Sequence, residues 1–147
     1  MIRFCPETGA FQLAGVEVPL EPRMSYADFR QHPAYPRMPE IRARRAENHR
    51  EHDLPESTFE GCRVLGSISF TDDALESIWL QVEAEDGDGS LFRHMREDGK
   101  LIALQERWLR QVAGVESRDY PWGLVWNRYN INAGWHDIAI IFHQRQP

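Results

Sequence analysis

Asp86-Gly87-Asp88-Gly89-Ser90 opens like a calcium-binding loop, in which alternating carboxylates supply hard oxygen ligands. Continuing the spacing puts Phe92 at the seventh position, His94 at the ninth and Glu97 at the twelfth, where a bidentate glutamate belongs. The sixth position needs glycine for its sharp turn, and here it is Leu91. An acidic turn ahead of a helix is the better reading. His49-Arg50-Glu51-His52 sets two imidazoles three residues apart, close to metal-ligand spacing. It lacks the His-Glu-x-x-His order of a zinc protease helix, and no third ligand lies nearby. These read as exposed histidines of a polar loop. Cys5 and Cys62 have no nucleophile signature around them, and Cys62 at a strand start suits a small core residue. With no secretion signal in view, two thiols are expected rather than a disulfide. There is no Gly-x-Ser-x-Gly elbow and no glycine-rich phosphate loop. Neither a cofactor nor a metal is expected.

Charge narrows the partner class. The 147 residues carry a formal net charge of −6. That balance opposes non-specific nucleic-acid binding, whose affinity comes from Lys and Arg neutralising phosphates. Arg37, Arg42, Arg44, Arg45 and Arg50 make one basic stretch, but without interleaved aromatics it reads as a solvated, salt-bridged segment. An acidic surface suits a basic protein partner. No apolar run reaches the roughly 20 residues that span a bilayer, so no membrane contact and a cytoplasmic location are expected.

The C-terminal stretch carries three of the five tryptophans in two aromatic runs, 120–129 and 135–143, around an Asn/Gly-containing break. This is the form of a β-hairpin. A five-residue loop over 130–134 places Tyr129 opposite Trp135 and Asn127 opposite Asp137. It also sorts Trp122, Leu124, Trp126, Ile138, Ile140 and Phe142 onto one face, as a buried face demands. A four-residue loop would set Arg128 against Asp137 and Trp126 against Ala139, mixing the faces. The five-residue loop is therefore expected. Tyr129, Trp135, Asn127 and Asp137 then share a mixed face near the loop, where aromatics beside polar groups form the usual anchors of a binding patch. The alternative is that a neighbouring strand or the Arg-rich segment covers them.

The remaining elements must position that hairpin. Ile2-Arg3-Phe4, Ala10–Leu13 and Val16-Glu17-Val18 read as short strands around Gly9 and Gly15. Ser25-Tyr26-Ala27-Asp28 starts a helix, with Ser25 as cap, cut short by Pro33 and Pro36. Residues 32–57 read as a Pro/Arg-rich excursion, mobile or ordered by a partner, with a surface helix over 39–47 as a weaker alternative. From Cys62 to Val82 two alternating runs flank Thr71-Asp72-Asp73, giving a second hairpin. Helical spacing of Leu75, Ile78, Trp79 and Val82 is the rival, and the β-branched run after a turn signal favours the strand. The main helix is expected over 90–113, with Leu101, Leu104, Trp108, Leu109 and Val112 as its stripe, Gly114 as its C-terminal stop and Gly99 as a site for a kink or late start. The sum is a single α+β domain over 1–147: an antiparallel sheet with one long amphipathic helix packed on one face.

That layout resembles the small bacterial immunity proteins of contact-dependent and secreted toxin systems. The matching features are Glu7-Thr8-Gly9-Ala10-Phe11 leading to the Gly15 turn, the Ser25-Tyr26-Ala27-Asp28-Phe29 helix start, and the hairpin from Trp122-Gly123 to Phe142. The resemblance implies a non-enzymatic cytoplasmic protein that binds and inhibits a cognate toxin, and it transfers no fixed functional residue. The competing expectation is a small enzyme using His136, Asp137, His143 or Cys62.

Overall fold

In the computed structural model the described residues are 1–41, 47–84, 99–130 and 135–144, with backbone alone described for 84, 129, 130, 135 and 136. Two short strands open the chain, β1 (Ile2–Phe4) and β2 (Phe11–Leu13), paired antiparallel. The third strand expected over 16–18 is not formed; Leu20 bridges to Phe11 instead. Helix α1 (Tyr26–Gln31) follows, and the Ser25 hydroxyl accepts from the Asp28 amide at 3.1 Å, as its sequence implied.

Among the described residues, eight strands form one antiparallel sheet. They are β3 (Glu40–Ile41), β4 (His49–Asp53), β5 (Ser57–Phe59), β6 (Cys62–Thr71), β7 (Ala74–Ala84), β8 (Arg118–Tyr120), β9 (Gly123–Asn130) and β10 (Trp135–Phe142). Their order is β3-β4-β6-β7-β10-β9-β8, with β5 paired to β6. Residues 49–53, inside the stretch read as an excursion, are thus a full sheet strand. The Arg-rich positions 42–46 lie outside the described residues, as does most of the expected 39–47 helix.

Strand wins over helix at 74–84. The chain turns through Asp72 and Asp73, whose φ angles of 50° and 62° give the doubly left-handed two-residue turn that matches strand twist. Asn48 secures it by donating its side-chain amide to the Asp72 carboxylate at 2.8 Å. A bulge follows at Ser69/Phe70, where Glu76 is the extra residue.

The expected long helix is shorter in the structure. Helix α2 (Lys100–Trp108) has nine residues and continues as a five-residue π-helical turn, Leu109–Ala113. It starts directly after Gly99, whose φ of 71° takes the chain out of the helical region, so the late start at this glycine is the one observed. Gly114, at φ 79°, ends it as expected. Residues 90–98 of the expected helix, and the whole calcium-like stretch 86–97, lie outside the described residues. Leu101, Leu104, Trp108 and Leu109 are buried, while Ala103, Arg107 and Arg110 are exposed. Arg107 also binds Glu60 through two nitrogens, at 3.0 and 3.2 Å, tying the helix to the turn between β5 and β6.

Every described element outside the sheet packs on the same sheet face. Helix α1 reaches it through Phe29 against Phe70, the N-terminal hairpin through Phe11 stacked on Phe142, and α2 through Asn127. Trp122 fastens the N-terminal hairpin down. Its indole N–H donates to the Pro6 carbonyl at 2.8 Å, and its ring lies so close to Gly9 that an added Cβ would sit 2.4 Å from it.

Candidate functional site

The C-terminal hairpin adopts the register that was expected to lose. Asp137 pairs with Arg128, Ile138 with Asn127, Ala139 with Trp126, Ile140 with Val125 and Phe142 with Gly123. The loop is the four-residue one. Its physical reason is the position of β10, a central strand held between β9 and β7. Flanked by strands at both edges, β10 carries apolar residues on both faces, so Ile138-Ala139-Ile140-Ile141 gives no alternation from which a register can be read.

The shift redistributes the aromatics. Val125, Ile138, Ile140 and Phe142 face the helices and are buried, with Trp122 beside them. Leu124 and Trp126, expected in that core, point to the other face and are half-buried. Arg128 covers Trp126, its guanidinium carbon 4.1 Å from the ring centre.

Asn127 and Asp137, expected opposite one another, fall on opposite faces. Asn127 turns toward α2: its amide donates to the Ile102 carbonyl at 2.8 Å and to Glu106 at 3.2 Å, and its oxygen accepts from Gln105 at 2.6 Å. These bonds join strand and helix across a largely apolar layer, where a lost partner would leave a buried amide unsatisfied. Asp137 is on the helix-free face and is 5% exposed. For Tyr129 and Trp135 the backbone pairs with His136 and Asn130 respectively, and their side chains lie outside the described residues.

Among the described side chains, the candidate catalytic groups are not brought together. Asp137 and His143 are six residues apart along an extended strand, a separation of roughly 20 Å. His143 is exposed, Cys62 is buried on the helix-bearing face, and neither Cys5 nor Cys62 forms a disulfide. The side chain of His136 lies outside the described residues.

His49 and His52 also part company, because residues three apart on a strand point to opposite faces. His52 is not the exposed loop histidine expected from its neighbours; it is 1% exposed. Its Nδ1–H donates to the Met38 carbonyl at 2.7 Å, which leaves Nε2 to accept from the Tyr26 hydroxyl at 3.0 Å. Phe29, Tyr35 and Phe70 complete an aromatic cage around it. Burial, reinforced by the nearby Glu40 carboxylate and Tyr35, raises the Tyr26 pKa above its ordinary value of 10.0, against a lesser opposing pull from Arg50. Arg50 lies over the Tyr26 ring at 4.6 Å and pairs with Glu40 at 3.6 Å, as a salt-bridged segment would.

On the helix-free face, cross-strand pairing lines up two rows. One runs Asp53, Ser67, Trp79, Ala139, Trp126. The other runs Glu51, Ser69, Ser77, Ile141, Leu124. The polar members are bonded together: Ser67 donates to Glu51 at 2.6 Å, Thr71 to Glu76 at 2.6 Å, and the Trp79 indole to Ser77 at 3.1 Å. The alternating run ending at Val82 was legible in the sequence, but its place beside the C-terminal hairpin was not, because no local pattern records strand order.

With this geometry in place the comparison with solved structures becomes informative. A chain of a structure described as Rhs1-CT in complex with cognate immunity protein RhsI1 superposes over 97% of this chain and 88% of its own length. The TM-score is 0.57 and the sequence identity 12%. This is a likeness of fold. It bears out the resemblance to immunity systems drawn from the order of the elements. No family model and no curated protein sequence matches the chain. Among the described residues, no helix is long and apolar enough to cross a membrane.

Proposed function

We propose that this protein is a non-enzymatic binding domain, a bacterial cytoplasmic immunity protein that inhibits a cognate toxin by occupying its surface. The observation that carries the reading is the fold likeness, over nearly the whole chain, to a member of a complex that contains an immunity protein. The net charge of −6 supports the inhibitor side of such a pair and a basic partner. Among the described side chains, Asp137, His143 and Cys62 do not come together as a catalytic group, which supports a binding role over the small-enzyme alternative.

The partner surface includes the loop end of β9 and β10, where Tyr129, Trp135 and Asp137 lie. Asn127 acts there indirectly, through its bonds to α2. Affinity purification of the tagged full chain from its native host tests the reading, with a stoichiometric basic protein as the expected outcome. Alanine at Tyr129 or Trp135 should lower the affinity for that protein while leaving the far-ultraviolet circular dichroism unchanged. Alanine at Cys62, His136 or His143 should leave binding intact. Growth arrest caused by this chain expressed alone would contradict the proposal, since it would make the chain the toxic member.

A further inference from the structure

The helix-free face of the sheet differs from the other face in kind. Large apolar residues on the helix-bearing side of the central strands, including Ile68, Ile78, Leu80, Ile138 and Ile140, are buried. On the opposite side Trp79, Trp126, Leu124 and Ile141 are all half-buried, and no described element lies over them. Trp79 and Trp126 flank Ala139 on its two neighbouring strands, about 10 Å apart at two strand spacings. Glu51, Asp53, Glu76 and Glu83 stand around this apolar centre, against His49, Arg63 and Arg128. Arg63 is already paired with Glu83 at 3.4 Å, and Arg128 is laid over Trp126. An apolar centre with aromatic anchors inside a charged rim is the anatomy of a protein interface.

We infer that this face, centred on Trp79, Ala139 and Trp126 and rimmed by Glu51 and Glu76, is the surface that receives a basic patch of the protein partner. The inference rests on the protein-binding reading above and extends it from the hairpin end to the sheet face. Carboxylates outnumber cations on the rim, so the occupant it fits presents Lys or Arg around an apolar knob. The indoles supply the desolvated contact area, and the rim sets approach and register.

The test uses the full chain and the protein that co-purifies with it at one-to-one stoichiometry, identified and purified. Hydroxyl-radical footprinting is then run on the free chain and on the complex. Trp79 and Trp126 should each lose at least half of their oxidation in the complex. Glu76→Lys and Trp126→Ala should each weaken binding at least tenfold, as expected of anchors and rim charges, and affinity should fall with added salt. Glu21→Lys, on the exposed N-terminal segment, should leave affinity unchanged. Equal oxidation of both indoles in the free chain and the complex would overturn the assignment even where a partner binds, and needs no variant to fold. Recovery of no stoichiometric protein would overturn it together with the binding reading. A co-purifying nucleic acid would do the same.

Discussion

Trp122 and Trp126 lie four residues apart, yet one is a core residue and the other half-buried on the opposite face. Trp122 sits on Gly9 and bonds to Pro6, so it joins chain segments more than a hundred positions apart. Truncation to alanine should cost about 3–5 kcal/mol, as for a large aromatic removed from a core. Trp126 lies on the other face under Arg128, and its truncation should cost less than half of that. Denaturant unfolding of the two variants measures the contrast, and equal losses would show that Trp126 is a core residue after all. Trp122 was expected in the core and lies there, but for a different reason: it precedes β9, in the turn after β8, where the N-terminal hairpin covers it. The place of Trp126 was not legible in the sequence, because Leu124 and Val125, like Ile140 and Ile141, are apolar neighbours and either set can face inward. Only the pairing of β10 with β7 decides between them.

At the level of elements, β4 and α1 are joined by the Tyr26–His52 hydrogen bond beneath Phe29 and Phe70. A tyrosine whose pKa is raised by folding holds its proton more tightly in the native state. Its stabilising contribution is therefore complete below the ordinary tyrosine pKa of about 10 and is lost as pH rises through the raised value. Thermal unfolding across the alkaline range should show this loss. Tyr26→Phe should show less of it, on top of a fixed penalty of about 1–3 kcal/mol for the imidazole left without its donor. An unchanged alkaline slope would mean that Tyr26 does not ionise on unfolding in that range. The short first helix, the 62–84 hairpin and the Gly114 stop were all legible, because capping, turn and periodicity signals are local. The cage around His52 was not. A histidine among Arg, Glu and Asp looks exposed until the strand places it under helix α1, distant in sequence but adjacent in packing.

The whole molecule is an antiparallel sheet with every described helix and the N-terminal hairpin on one side. Its other side carries half-buried indoles among serine hydroxyls and carboxylates. Fold class and the resemblance to immunity proteins were readable from the order of elements, since composition and turn chemistry fix how many hairpins and helices must share a core. Strand order, and with it the face proposed to receive the partner, depends on long-range pairing that no local pattern records. The charge of that face predicts an association that weakens with ionic strength and a partner of opposite sign. The most direct measurement is growth rescue: the protein that co-purifies with this chain is expressed in a susceptible host with and without it. Growth arrest by the partner alone, relieved by co-expression of this chain, is the predicted result. A harmless partner, or an arrest that this chain fails to relieve, would contradict the account.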